Sequence, residues 1–128
     1  MNFLPCTVEG SSPTLQLRIL DAPGEAAWTI PEEAAWATTL RRRGARPVDL
    51  GIRTEHIRMA QAPLNARAVV RRVEALGHEI LASVALGPHA LTLRLPAQTS
   101  IGVGEPVVVG LDPARIVWFD PDTGLALG

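Results

Sequence analysis

Three side chains able to do chemistry fall close together at the end of the run Leu50-Gly51-Ile52-Arg53-Thr54-Glu55-His56. A histidine can serve as a general base near neutral pH, a carboxylate can orient it, and a guanidinium can hold an anion. If the segment is extended, however, Glu55 and His56 point to opposite faces and make a poor dyad. No serine or cysteine elsewhere sits on the strained Gly-flanked turn that presents a nucleophile. The run therefore reads as a structural corner built on Gly51, Arg53 and Glu55. An Arg–carboxylate pair is its expected pin.

The other candidate constellations reduce to structural roles. His56, His78 and His89 lie on separate segments without ligand spacing, so no metal site is expected. Gly102-Val103-Gly104 lacks the third glycine and the following helix of a dinucleotide fingerprint and reads as a turn. Asp112, Asp120 and Asp122 lack the spacing of a calcium loop, and turn chemistry accounts for them better. The run Arg41-Arg42-Arg43 suits the solvated last turn of a helix. Trp36, Trp118 and His56 are the candidate interface residues, because exposed aromatic surface favours association.

Composition excludes further classes. All twelve basic residues are arginine, so a Schiff-base lysine and a P-loop lysine are both ruled out. A net charge of −1 and five aromatics with no tyrosine argue against a single-strand nucleic-acid groove. The single cysteine, Cys6, cannot form an internal disulfide, which fits a reducing, cytoplasmic setting. No eighteen-residue apolar run is present.

Eleven prolines and eleven glycines leave room for many turns and few helices, so the elements positioning these residues must be mostly short strands. Leu15, Leu17 and Ile19 share one face of a strand over 14–20, and 26–30 and 48–52 read as further strands. Pro31-Glu32-Glu33 opens a helix that runs to Arg43 and stops at Gly44. Residues 66–76 are ambiguous. Ala66, Val69, Val70, Val73 and Leu76 recur at helical spacing, yet the valine content favours a strand. Strands follow at 80–86, 91–95, 107–109, 116–119 and 125–127. The whole predicts a mainly β fold, a small barrel or sandwich, with one short helix near 31–43.

The order of these segments resembles the C-terminal regulatory domain of sugar-importing ABC transporter ATP-binding subunits of the maltose and glycerol-3-phosphate type. Met1-Asn2-Phe3-Leu4-Pro5 is similar to the junction with the ATPase domain, and Leu50–His56 to a Gly-Ile-Arg-Pro-Glu-His segment. Val73–Glu79, Gly104-Glu105, Leu111–Arg115 and Phe119–Gly124 follow in the family's order. Thr54 stands where the family has proline, and the segment 31–46 exceeds a minimal member.

The resemblance implies an OB-fold-like TOBE-type barrel in which residues 66–76 form a strand. It implies a single regulatory domain over 1–128, excised from a longer subunit whose ATPase domain would precede Met1. Such a domain is non-catalytic. It would carry no cofactor, ATP and Mg binding instead to the ATPase domain. Expected partners are a second copy, the ATPase domain, the permease subunits indirectly, and a regulatory protein, but not nucleic acid. Its place would be the cytoplasmic face of the membrane. The alternative is a small-oxyanion-binding module of the same fold, with Arg53 and nearby backbone N–H groups as the site.

Overall fold

The computed structural model describes residues 1–9, 16–20, 27–29, 36–44, 46–59 and 64–127. Among the described residues, ten strands form two five-stranded antiparallel sheets. They are β1 (Asn2–Glu9), β2 (Gln16–Ile19), β3 (Ala27–Thr29), β4 (Val48–Ile52), β5 (Ile57–Arg58), β6 (Leu64–Ala75), β7 (Glu79–Leu86), β8 (His89–Pro96), β9 (Pro106–Leu111) and β10 (Val117–Phe119). The first sheet runs β10-β4-β1-β2-β3 and the second β5-β9-β6-β7-β8. The helix α1 (Ala37–Arg43) precedes β4, and a 3₁₀ turn over Thr54–His56 joins β4 to β5. The mainly β, OB-type barrel expected from the sequence is the fold observed.

Alternation explains most of the packing. Leu4, Cys6 and Val8 of β1, Leu17 and Ile19 of β2, and Ile80, Ala82, Val84 and Leu86 of β7 all point into one cluster of buried residues. The ambiguous stretch is a strand, and its helical look has a physical origin. Leu64, Ala66, Ala68 and Val70 alternate inward. A register shift between Val70 and Arg72 then breaks the phase, leaving Val73 half-buried and Leu76 exposed.

One strand reading is corrected, and two other segments are placed. The opening residues, which resemble a junction, lead directly into the central strand β1. Residues 125–127 form no strand, only a bridge between Ala126 and Phe119. The helix ends at Gly44 as expected, with φ +70° in the region that glycine tolerates. Its described part begins at Ala37, and the proposed start at Pro31 lies outside the described residues.

Pro5 in a central strand needs explanation, since proline cannot donate to a ladder. Its carbonyl accepts from Leu20 N at 2.9 Å, so its ring nitrogen faces the end of β2 and takes no bond from the β4 ladder. Leu20's own carbonyl, left without that donor, receives His89 Nε2 from β8. A carbonyl only accepts, so Nε2 carries the proton.

Side chains also join the two sheets. The Asn2 carboxamide donates to Thr92 O at 2.8 Å and accepts from Thr92 N at 3.0 Å, pairing with the outer edge of β8 as a peptide group would. Trp28 Nε1 donates to Asn65 O at 2.6 Å, tying β3 to β6.

Candidate functional site

The Arg53 corner is a helical turn rather than an extended segment. Arg53 caps it, with φ −74° and ψ 148°, and His56 N donates to Arg53 O at 2.9 Å. Consecutive residues of a 3₁₀ turn lie about 120° apart. Glu55 and His56 therefore still diverge, for a reason different from the one the sequence suggested. No hydrogen bond joins them among the described residues. His56 Nδ1 is buried without a partner among those residues.

The expected pin is absent: Arg53 and Glu55 form no ion pair among the described residues. Glu55's carboxyl is nonetheless held below the usual carboxylate range, chiefly by its own backbone N–H and further by His56, Arg53 and Arg94. Arg94 reaches this corner from β8, far away in sequence. Met1, Arg53, Thr54, Glu55 and Arg94 together line an open hollow of about 460 Å³.

Gly51 does hold a close approach. It faces outward between Phe3 of β1 and Val117 of β10. A Cβ there would stand 2.7 Å from Phe119 Cε2 and 3.0 Å from Met1 Sδ. Phe119 in turn meets the Phe3 ring edge-on, at 5.5 Å and 71°. Met1, Phe3 and Val117, exposed by 53%, 51% and 40%, make an apolar patch over this glycine floor.

The two tryptophans expected at an interface are placed otherwise. Trp118 is 2% exposed and belongs to the core, so it offers no surface. Its register with Leu50 turns it inward. Trp36 is half-buried, stacks edge-on against Trp118 at 5.0 Å, and donates from Nε1 to Pro113 O at 2.9 Å. Nor is the arginine run wholly solvated. The Arg43 side chain is 8% exposed and donates to Pro47 O from Nε at 2.9 Å and from Nη2 at 2.7 Å.

Arg43 also contacts Asp120 Oδ2 at 3.3 Å. Asp120 accepts from the N–H groups of Asp122 (2.8 Å) and Thr123 (3.4 Å), which with Arg43 hold its carboxyl below the usual range. Asp112 likewise accepts from Ala114 N at 3.0 Å. Both act as turn residues.

His56 lies in the 3₁₀ turn, His78 between β6 and β7 and His89 in β8, and no group of three metal-type ligands occurs among the described residues. Burial, followed by the charge of Asp49, pushes the Cys6 thiol up to about 12. It stays protonated and is no nucleophile at neutral pH. No helix among the described residues is long and apolar enough to cross a membrane.

Two sheets wrapped around one core, closed by short side-chain bridges and lacking a nucleophile or ligand cluster among the described residues, define an OB-type β-domain. Residues 50–119 match the TOBE domain family, and residues 1–57 match the MalK OB fold domain. The chain belongs to the TOBE domain family.

Among similar proteins is the sn-glycerol-3-phosphate import ATP-binding protein UgpC of Cupriavidus necator, 31% identical over 97% of this chain and 33% of that protein. The sulfoquinovosyl glycerol transport ATP-binding protein SmoE of Agrobacterium fabrum is 39% identical over 61% of this chain and 22% of its own length. The ABC transporter ATP-binding protein YcjV of Escherichia coli is 29% identical over 99% of this chain and 33% of its own. The chain thus spans about a third of the length of the curated relatives that it matches along nearly its whole length. Among solved structures, the cytoplasmic molybdate-binding protein ModG superposes with a TM-score of 0.65 at 14% identity, over 94% of this chain and 96% of that one. That likeness is one of fold.

Proposed function

We propose that this chain is a non-catalytic regulatory and dimerisation domain of an ABC importer ATP-binding subunit for carbohydrates or glycerol-3-phosphate. One observation carries the reading: the OB and TOBE matches together run from residue 1 to 119, while the relatives they resemble are about three times longer. ATP and Mg would bind the remaining part of such a subunit, and permease subunits would be reached through it. The domain would work at the cytoplasmic face of the membrane. Holding two copies together raises the effective concentration of two ATPase domains for each other as they cycle.

The outer face of the first sheet suits the contact with a second copy. Met1, Phe3 and Val117 project there beside Phe119, and a two-fold axis would set the patch against itself. Sedimentation across a concentration range tests the reading. Self-association that Phe3→Glu removes is expected, and a strict monomer at every concentration contradicts it.

The second reading, a small-oxyanion module, is favoured by the fold shared with molybdate-binding ModG and by the arginines of the 460 Å³ hollow. Calorimetry with molybdate and tungstate separates it from the first.

A further inference from the structure

We infer that the hollow between the Arg53 turn and β8 is a binding site for a small hydroxylated monophosphate, a phosphorylated polyol. The hollow shares Met1 with the apolar patch but no other residue, and the inference differs from the bare-oxyanion reading in the ligand selected.

Two guanidiniums reach this hollow from separate elements, Arg53 from the cap of the 3₁₀ turn and Arg94 from an outward position of β8. Arg53 makes no side-chain hydrogen bond or ion pair among the described residues. Arg94 has only a long contact, 3.9 Å from Nε to Glu79 Oε1, and Glu79 lies closer to His78, at 3.5 Å. Both donor forks are therefore available to an anion, and a guanidinium pairs with phosphate through two parallel hydrogen bonds. The Thr54 hydroxyl lines the same space and can donate a further bond.

Glu55 decides the class of ligand. Its carboxylate lines the hollow and remains ionised at neutral pH, where it only accepts hydrogen bonds. The two arginine side chains and one glutamate sum to a charge of +1. Molybdate bound to the arginines would confront that carboxylate without a proton to offer it, and inorganic phosphate would offer only its own P–OH, short of the reach that a polyol's hydroxyls have. A neutral sugar would satisfy Glu55 and leave the arginines without an anion. A ligand with phosphate at one end and hydroxyls at the other meets both demands. The volume, about 460 Å³, suits a ligand of that size.

A neighbouring hollow of about 340 Å³ shares Glu55 and Arg94 as its wall and adds Arg58 and the apolar Met59 and Leu95. Ligands with a longer carbon chain have room to extend that way.

Isothermal titration of the 128-residue chain with glycerol phosphate, inorganic phosphate, molybdate and glycerol tests the assignment. Glycerol phosphate should bind at least about fivefold more tightly than inorganic phosphate or molybdate, and glycerol alone should not bind. Arg53→Ala and Arg94→Ala should each weaken glycerol phosphate roughly tenfold, the worth of one charge-assisted bond. These side chains are exposed, so the variants should keep the fold. Glu55→Gln should erase the preference for the hydroxylated ligand and strengthen inorganic phosphate. Tighter binding of molybdate or inorganic phosphate by the unaltered chain overturns the assignment. So does a preference that Glu55→Gln leaves intact, an affinity insensitive to both arginines, or no saturation by any probe up to about 10 mM.

Discussion

The two sheets of this domain both mix hairpin and distant pairing, but place them differently. In the second, β6, β7 and β8 follow one another as a meander, and each partner lies a short loop away. In the first, β4 sits between β1 from the start of the chain and β10 from its end. The second sheet is local only within that meander, since β9 returns from some forty residues on to pair with β6 and β5. The first depends on long-range side-chain contacts: Trp36 on Trp118, Arg43 on Asp120, Asn2 on Thr92. Surfaces divide in the same way. The first sheet carries the apolar patch, whereas the hollow lies where its 3₁₀ exit meets the edge of the second.

The largest effect should come from cutting the long-range core of the first sheet. Trp118→Ala should cost about 3–5 kcal/mol in denaturant unfolding, as expected for a buried aromatic. Val103→Ala, at an exposed loop in the second half of the chain, should change little. Equal losses would erase the distinction. Next comes the bridge between sheets. Asn2→Ala should cost about 1–2 kcal/mol through two lost hydrogen bonds and increase amide exchange at Thr92. Gly51→Ala should cost about 1 kcal/mol by pushing the Phe119 ring aside, with near-UV dichroism reporting the shift.

Thr54→Pro should do the reverse. Arg53 already has the extended ψ of 148° that precedes proline, and Thr54 is the first residue of the turn, where proline fits. A gain of about 0.5 kcal/mol in thermal unfolding is expected.

The Asp120 clamp makes a pH prediction whose sign is fixed. Its folded pKa lies below the ordinary 3.8, so its contribution is complete above that value. That contribution fades as pH falls through the lower folded value. Asp120→Asn should lower stability on the neutral plateau by that contribution and flatten the acid limb, so that variant and parent converge as pH falls.

Legibility in the sequence followed alternation rather than the sheet to which a strand belongs. β4, β7 and β8 were readable because their apolar residues alternate and turns bound them. β1 was not, because Pro5 and Cys6 interrupt a strand pattern and its partner β4 lies some forty residues on. In Val117-Trp118-Phe119 three apolar residues run together, so alternation could not say which faces inward. Only pairing with Leu50 decides that, and it places Trp118 in the core.

At the corner, Gly51 showed through its position in the Leu50–His56 run, while the supposed Arg53–Glu55 pair did not survive the 3₁₀ geometry. Arg94 carried no local signal at all. It is one outward residue of an ordinary strand, brought to Glu55 by the closure of the barrel. Arg43 looked like a solvated helix end because its acceptors, Pro47 O and Asp120, lie beyond the helix.

Sedimentation velocity of the chain and its Phe3→Glu variant, up to about 1 mM, tests the central claim most directly. The account predicts a sedimentation coefficient that rises with concentration toward that of a dimer, and a variant that stays monomeric while keeping its fold. A monomer throughout, or a dimer indifferent to Phe3→Glu, would contradict it.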